Sequence, residues 1–354
     1  MTVAPPPPPK GAEDLTPAWL TAALAEAAGG AVVTDVEAHK IGTGQVADSV
    51  RLTLTWDRPT AAPLAVVAKV PAAAEVSRAA AATTRTYLRE AAFYQQLAET
   101  VGVHRPHCWY AAHDPITDDY AVVLADLAPA EQGDQISGCT VDQAASVIPE
   151  LAALHAPRCG DVALLDIDWL DRPTGERNAE SEAFFGVLAA GFTERYDDRV
   201  EPDVAALIER LLPRLPDYQA NSPGPWTVVH GDFRLDNLLF GGDRVAVLDW
   251  QTVRLGPSMS DVAYFLGSAL QPADRAAHEE ALVRDYHDRM TAAGVDISWD
   301  DCWAGYRLRG VDGLLMGIFA SMLVTRTDRG DEMFMAMVNR HGHQLLDLQA
   351  EQLI

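Results

Sequence analysis

The chain has 354 residues, 48% of them hydrophobic and 22% charged, with a formal net charge of -24. This length is enough for two compact regions with a sizeable core, and the composition is that of an ordinary soluble globular protein. The acidic charge argues against a nucleic-acid partner, since phosphates would be repelled, and no apolar run is long enough to span a bilayer. The N-terminus also lacks a signal-peptide pattern, so we predict a cytoplasmic protein without membrane association.

The N-terminal third is predicted to be rich in strands. Residues 1–15 contain five consecutive prolines at positions 5–9 and are predicted to form a disordered, solvated tail. Alternating and β-branched residues then predict five strands, at 32–41, 50–56, 64–70, 108–112 and 120–125. One long helix is expected over residues 78–100, after the third strand.

Past residue 127 the pattern changes to mainly helical. Helical periodicity and capping residues predict the following helices: 141–155, 180–190, 203–212, 262–270, 273–293, 299–325 and 331–353. Two short apolar strands interrupt them, at the beginning of residues 228–240 and over 245–249. The fold class predicted from this order is α+β.

A lysine inside an apolar strand is the first candidate functional residue. Lys69 lies in the run LAVVAKV, and it is one of only three lysines among 27 basic residues. Burying an ammonium group is costly unless it is paired. Glu90, on the following helix, is the predicted partner; the alternative is an edge-strand lysine that reaches solvent.

Two glycines precede this strand, in IGTGQVADSV. Gly42 and Gly44 would allow backbone amides to approach phosphate oxygens, although a plain hairpin turn explains them equally well.

The most specific pattern is HGDFRLDN, residues 230–237, followed by VAVLDW, residues 245–250. Asp232 can accept a hydrogen bond from an attacking hydroxyl, while Asn237 and Asp249 offer the hard oxygen ligands that Mg²⁺ prefers. The neighbouring residues have simpler interpretations: His230 as a loop-fixing residue, Arg234 as a phosphate contact or a surface residue, Asp236 as solvent-exposed, and Asp261 as a helix cap or a tie to the loop.

This pattern, H-G-D-x-x-x-x-N and then a strand ending in Asp, resembles the aminoglycoside phosphotransferase and choline kinase family. The resemblance implies a two-lobed, protein-kinase-like fold, with a small antiparallel sheet and one long helix in the N-terminal lobe (16–127). The larger, mainly helical C-terminal lobe (128–354) would carry catalysis and substrate binding. The implied cofactors are ATP, or another nucleoside triphosphate, and Mg²⁺.

The resemblance also implies a role for each matching residue. Lys69 would hold the nucleotide phosphates and Glu90 would position it, under a lid formed by the Gly42 and Gly44 loop. The adenine would bind at about Leu124, Asp126 and Leu127. Asp232 would be the catalytic residue, and Asn237 and Asp249 would bind the metal.

The acceptor is predicted to be a small molecule. A long activation segment ending in A-P-E would mark a protein kinase, but here a helix is predicted soon after Asp249, and the motif reads H-G-D instead of H-R-D. The predicted acceptor is a hydroxylated compound such as an aminoglycoside, amino alcohol, sugar or other metabolite, and the acidic charge is compatible with a cationic one. The alternatives are a nucleotide-binding module without catalysis, similar to a pseudokinase, and a protein kinase.

Overall fold

The structure is a computed structural model. It describes residues 5–42, 46–172, 179–220 and 225–354, without the side chains of 179–184 and 219–220. The chain forms two compact units. The first contains the described residues up to Thr100 together with Arg105–Ala130 and Leu248–Val253, and the second contains Val101–His104, Glu131–Val247 and Arg254–Ile354.

The first unit is built on a five-stranded antiparallel sheet with strand order β1-β2-β3-β5-β4. Its strands are β1 (Val33–Ile41), β2 (Ala47–Trp56), β3 (Ala65–Pro71), β4 (Cys108–His113) and β5 (Tyr120–Ala125). Along β3, Val66, Ala68 and Val70 are fully buried in the core beneath the sheet. Because side chains alternate between the two faces of a strand, Lys69 lies on the opposite face from this core.

The predicted single long helix after β3 is interrupted. The structure has α3 (Glu75–Thr84) and α4 (Thr86–Ala92), followed by a wider turn of helix over Phe93–Leu97. Arg85, between the two helices, has a left-handed conformation with φ of 55°. The hydroxyls of Thr83 and Thr84 donate to carbonyls four residues earlier. Such bonds and β-branched side chains disfavour a continuous helix at this point.

The N-terminal segment also differs from the predicted solvated tail. Within residues 5–15, Pro9 and Leu15 are buried, and Leu15 belongs to the core of the first unit. The chain then forms α1 (Pro17–Ala23), capped by the Thr16 hydroxyl, and the short α2 (Ala25–Ala28). The described part of the proline-rich segment is therefore packed against the first unit.

The second unit is mainly helical, as predicted. Its helices are α5 (Val141–His155), α6 (Ala179–Tyr196), α7 (Pro202–Leu211), α8 (Leu215–Ala220), α9 (Met259–Ala269), α10 (Pro272–Ala292), α11 (Trp299–Leu323) and α12 (Asp328–Asp347). Its strands form two small sheets, one of β7 (Trp226–Val229) with β10 (Arg254–Pro257), the other of β6 (Glu131–Gln132), β8 (Leu238–Phe240) and β9 (Ala246–Val247). The predicted α+β class is confirmed.

Two buried helical elements hold the loop between β7 and β8 in position. The helix α5 begins at a capping box formed by Thr140 and Gln143, and its last residue, His155, is completely buried. The helix α9 is buried along its whole length.

Among the described helices, none is both long and apolar enough to cross a membrane.

Candidate active site

Lys69 is paired as the sequence predicted. Its ammonium Nζ lies 2.7 Å from Glu90 Oε1 and 2.8 Å from Asp249 Oδ1, and its side chain is only 12% exposed. β3 is an interior strand, so Lys69 is not an edge lysine that reaches solvent. We call these three residues the Lys69 cluster; all three belong to the first unit.

The Lys69 cluster contains two carboxylates for one ammonium. Burial by itself would lower the pKa of Lys69, but Asp249 and Glu90 outweigh that effect and raise it above the ordinary value. Burial raises the pKa of Glu90, because a buried carboxylate is poorly solvated and the cluster has one more carboxylate than it has ammonium groups. Tyr120 supplies a second donor, from its hydroxyl to Glu90 Oε2 at 2.9 Å.

Asp249 reaches this cluster through a short segment of the chain that belongs to the first unit. The neighbouring Trp250 is fully buried and stacks on Phe93 with ring centroids 3.9 Å apart. Asp249 itself has φ of 66°, a left-handed conformation that is uncommon for a residue other than glycine. Gln251 donates to Asp249 Oδ2 at 3.0 Å, so the carboxylate is held on both oxygens.

The other described residues predicted to bind nucleotide lie within a strand or directly after one. Gly42 directly follows β1 and has φ of 71°, and no atom of the described residues lies within 4 Å of an added Cβ. Gly44 lies outside the described residues. Leu124 is inside β5 and pairs with Val67, whereas Asp126 and Leu127 follow the end of that strand.

Asp232 lies in the loop after β7, where both of its carboxylate oxygens accept hydrogen bonds. Oδ1 accepts from the hydroxyl of Tyr264 at 2.8 Å. Oδ2 accepts from Arg234 Nε and from Asn237 Nδ2, each at 3.0 Å. We call these four residues the Asp232 cluster; all belong to the second unit. Their bonds hold the plane of the carboxylate in one orientation.

Asn237 is 5% exposed, and its side-chain nitrogen Nδ2 donates to the backbone carbonyl and to the carboxylate of Asp232. This orientation leaves the amide oxygen as a donor atom for a cation. In the first unit, Asp249 offers a carboxylate, and both are oxygen ligands of the kind that Mg²⁺ accepts. Over the described ranges there is no group of three or more His, Cys, Asp or Glu side chains that could hold a metal ion.

Arg234 and Asp236 are more buried than expected. Their side chains are 19% and 15% exposed, and Arg234 Nη1 bonds to Asp236 Oδ2 at 2.5 Å. The backbone N–H of Gln135 donates to Asp236 Oδ1. Although burial alone lowers the pKa of Arg234, the nearby Asp232 carboxylate contributes to a net rise. The predicted solvent exposure of Asp236 is wrong, and Arg234 is not a surface arginine.

Asp261 fixes the loop that carries Asp232. Its carboxylate accepts the backbone N–H groups of His230 at 2.6 Å and Gly231 at 2.9 Å, and it does not cap its own helix. Burial would raise the pKa of Asp261, but the hydrogen bond from His155 and these backbone bonds lower it overall. Gly231 has φ of 82°, which the loop requires at this point and which a side chain would strain.

His155 joins this support from the end of α5. Its Nε2 lies 3.2 Å from Asp261 Oδ2 and its Nδ1 lies 2.9 Å from the hydroxyl of Tyr286. Because the Asp261 carboxylate can only accept, His155 carries a proton on Nε2. His230, which is also buried, accepts the backbone N–H of Asp232 on Nδ1.

The sequence interpretation did not identify Tyr264. Burial, with the Asp232 charge, holds the pKa of its hydroxyl well above the ordinary value, so the group remains a hydrogen-bond donor. Tyr264 stands three residues after Asp261 on α9, and residues three apart lie on one helix face. A single tyrosine at this spacing in a mostly apolar helix was the available signal. His341 is fully buried beside the Tyr264 ring.

Comparison with curated proteins gives short matches. Acyl-CoA dehydrogenase family member 11 of Homo sapiens is 36% identical over 80 residues, which are 21% of this chain and 10% of that protein. Acyl-CoA dehydrogenase family member 10 of Mus musculus is 46% identical over 66 residues, 18% of this chain and 6% of that protein. The chain thus matches about a tenth or less of the length of these two relatives.

Solved structures match over nearly the whole chain. A candidate aminoglycoside phosphotransferase from Ralstonia eutropha is similar with a TM-score of 0.52 and 17% identity, covering 93% of this chain and 97% of that one. Choline kinase from Cryptosporidium parvum is similar with a TM-score of 0.57 and 10% identity, covering 90% and 91%. At such identities these structures establish the protein-kinase-like fold.

The family profile gives the broader assignment. The profile of the phosphotransferase enzyme family matches residues 52–295, which include the Lys69 cluster and the Asp232 cluster. The chain therefore belongs to the phosphotransferase enzyme family and has the protein-kinase-like fold.

Proposed function

We propose that this enzyme transfers the γ-phosphoryl group of ATP, with Mg²⁺, to a hydroxyl group of a small molecule. The observation that carries the proposal is Lys69, held between Glu90 at 2.7 Å and Asp249 at 2.8 Å on a strand of the first unit. A buried ammonium held in this way is a fixed positive charge that can contact phosphate oxygens. Phosphoryl transfer depends mainly on such positioning and charge stabilisation.

The first unit would bind the nucleotide. Lys69 contacts the α- and β-phosphates, Glu90 holds Lys69 in place, and the loop at Gly42 and Gly44 supplies backbone amides. Because Leu124 pairs with β3 within the sheet, the backbone after β5, at Asp126 and Leu127, is the proposed contact for the adenine edge.

The second unit would bind and orient the acceptor. Asp232 accepts the hydrogen bond of the attacking hydroxyl and takes its proton late in the transfer. Since Tyr264, Arg234 and Asn237 already fix the carboxylate, its contribution is orientation more than basicity. Asp249 and Asn237 would supply oxygen ligands to Mg²⁺, which neutralises charge on the phosphates when bound.

The class of acceptor molecule is proposed from the net charge and from the short stretch of chain between Asp249 and α9. The net charge of -24 favours a cationic or neutral hydroxylated compound over a phosphorylated one. The helix α9 begins at Met259, soon after Asp249, which leaves little chain for the activation segment of a protein kinase. The dehydrogenase activity named for the curated relatives is not transferred to this chain, because the matches cover so little of those proteins.

A screen for ATP consumption tests the function. Purified enzyme, ATP and Mg²⁺ are combined with aminoglycosides, amino alcohols, sugars and hydroxy acids, and both ADP release and a phosphorylated product are measured. We expect one class to be phosphorylated and Asp232→Asn to reduce turnover by about 10² to 10⁴. The matched control is Asp243→Asn, at an exposed position in the turn that follows β8.

Two results would contradict the proposal. Turnover of Asp232→Asn equal to that of wild type would remove Asp232 from the reaction. Binding of ATP without transfer to any acceptor, and without hydrolysis, would instead support a nucleotide-binding module similar to a pseudokinase.

A further inference from the structure

The proline run near the N-terminus contacts two aromatic donors of the first unit. The hydroxyl of Tyr110, on β4, donates to the carbonyl of Pro6 at 2.8 Å. The indole Nε1 of Trp19, on α1, donates to the carbonyl of Pro7 at 2.9 Å. The two rings also meet edge to face, with centroids 5.0 Å apart. We call residues 5–9 the proline segment and Trp19 with Tyr110 the aromatic pair.

The chemistry of these contacts is that of polyproline recognition. Proline has no backbone N–H, and a polyproline helix has no internal hydrogen bonds, so its carbonyls are available to outside donors. The proline segment forms neither helix nor strand. Such a stiff chain loses little conformational entropy when it binds, and aromatic side chains with an O–H or N–H donor suit its ridged surface.

The aromatic pair also packs against core residues that lie outside the proline segment. Tyr110 is 6% exposed and packs with Leu15, Leu20 and the strands of the core, and Trp19 packs against the same core. Burial raises the pKa of Tyr110 to about 12, so its hydroxyl stays protonated and donates at neutral pH. The aromatic pair is therefore a preformed pair of donors on a rigid surface.

Both contacts are made to main-chain carbonyl groups, which every proline-rich peptide also has. Both bonds end on main-chain carbonyls, of Pro6 and Pro7. The twelve-residue separation between Pro7 and Trp19 makes the proline segment an intramolecular ligand, whose effective concentration is in the millimolar range by the rule for short linkers. Residues 5–9 and Trp19 also precede residue 52, where the family match begins.

We propose that the aromatic pair is a binding site for proline-rich peptides, and that the proline segment is a built-in ligand that competes for it. A proline-rich segment of another protein binds there when the chain's own segment is displaced. This proposal does not depend on the kinase function.

Fluorescence anisotropy tests the proposal on the full-length protein. The proline segment is replaced by the set Pro5→Ser, Pro6→Gly, Pro7→Ser, Pro8→Gly and Pro9→Ser, which frees the aromatic pair. The probe is a fluorescein-labelled peptide with the sequence of residues 1–12, MTVAPPPPPKGA. We expect saturable 1:1 binding to this variant, at least tenfold tighter than to wild type, because the tethered segment competes in wild type.

Substitutions in the aromatic pair decide which surface binds the peptide. Trp19→Phe and Tyr110→Phe keep a ring but remove a donor, so each should weaken binding about 3- to 10-fold when made in the freed variant. Trp56→Phe is the matched control, because Trp56 Nε1 also donates to a proline carbonyl, that of Pro63 at 3.0 Å, elsewhere in the first unit. It should leave peptide binding unchanged.

Three outcomes overturn the proposal: a folded variant that does not bind the peptide, binding that ignores both Trp19→Phe and Tyr110→Phe, or equal binding of a peptide with serine and glycine in place of the prolines. Since Pro9 is buried, the fivefold variant is checked by circular dichroism. If it does not fold, the double variant Pro6→Gly and Pro7→Gly loosens only the two bonded residues and is measured against the same expectations.

Discussion

The Lys69 cluster and the Asp232 cluster handle buried charge in different ways. In the Lys69 cluster, one ammonium bonds to two carboxylates, which leaves one excess negative charge in a site where Lys69 is 12% exposed. In the Asp232 cluster, one carboxylate accepts three hydrogen bonds from groups whose own positions are fixed. The first cluster has unbalanced charge, while in the second both oxygens of the single carboxylate already accept hydrogen bonds.

This difference matches what each cluster has to do in the proposed reaction. A nucleotide with its metal brings charges of both signs, so a cluster that binds it must exchange partners. A residue that orients a hydroxyl gains from being held still, because small displacements of reacting groups are costly in rate. Four substitutions test this contrast, from the largest expected effect to the smallest.

Lys69→Met tests whether the Lys69 cluster depends on its single cation. The substitution keeps much of the side-chain volume but leaves Glu90 and Asp249 facing each other without a positive charge. We expect the free energy of unfolding to fall by about 3–5 kcal/mol, the usual cost of removing one partner from a buried ion pair. Urea denaturation measures it.

The control is Lys40→Met, on the exposed strand β1. Lys40 also pairs with an aspartate, Asp48 at 2.6 Å, but its side chain is 65% exposed. Its loss should change the free energy of unfolding by no more than about 1 kcal/mol. Equal losses for the two variants would show that burial of Lys69 does not matter.

The acid sensitivity caused by His341 tests how well water is excluded from the surroundings of the Asp232 cluster. This residue lies 5.6 Å from the ring of Tyr264, and burial lowers the pKa of His341 from 6.5 to about 4. Because the unfolded chain takes up the proton first, the stability that neutral His341 provides is present above pH 6.5 and is lost as the pH falls toward 4. The loss should reach about 3 kcal/mol.

His341→Gln should remove this acid sensitivity, measured as the difference in unfolding free energy between pH 7 and pH 4.5. His343→Gln is the matched control, since His343 is 28% exposed and pairs with Glu201 on the surface. It should keep the slope of the wild type. An unchanged slope in His341→Gln would mean that other groups cause it.

Tyr264→Phe tests whether the hydrogen bonds that orient the Asp232 carboxylate serve catalysis. The substitution removes only the donor to Oδ1, so the carboxylate keeps its bonds on Oδ2 and becomes free to tilt. We expect turnover to fall about 10- to 100-fold with little change in the KM for ATP. Tyr196→Phe is the control, because it removes a similar buried bond, to Asp331 at 2.7 Å. A comparable fall in turnover for both variants would point to a general loss of structure.

Gly231→Ala tests the backbone that presents Asp232. A side chain at φ of 82° should cost about 1–2 kcal/mol of stability. Thermal unfolding and turnover are compared with Gly242→Ala, where an added Cβ meets only Arg244 O at an ordinary 3.5 Å. A stable, fully active Gly231→Ala enzyme would show that the loop tolerates another conformation.

Much of the fold could be predicted because the patterns are local. The strand predicted at 120–125 and the helix predicted at 141–155 have the same bounds in the structure. The Lys69–Glu90 pair was also predictable, since a buried ammonium needs a partner and the next helix offered one. These cases depend on periodicity and on the cost of an unpaired charge, which a sequence shows directly.

The remaining features depend on contacts between residues far apart in the chain. Nothing near residues 5–9 indicates that Tyr110, over a hundred positions later, donates to Pro6. The same holds for Tyr264, whose partner Asp232 is 32 residues away, and for His341, which is buried by the close approach of Gly313. The break at Arg85 escaped prediction because an alanine-rich run outweighs three threonines in any average of helix propensity.

The bond between Lys69 and Asp249 also bears on how the protein is made. Its two residues are separated by 180 positions, although both belong to the same compact unit. At the usual rate of about 5–20 residues per second, a ribosome needs on the order of 9–36 s to add Asp249 after Lys69. During that interval Lys69 has only Glu90 as its carboxylate partner from the Lys69 cluster, and the first unit lacks the Trp250 ring that stacks on Phe93. The N-terminal unit is therefore completed late in translation, by a six-residue segment encoded well after the rest of it.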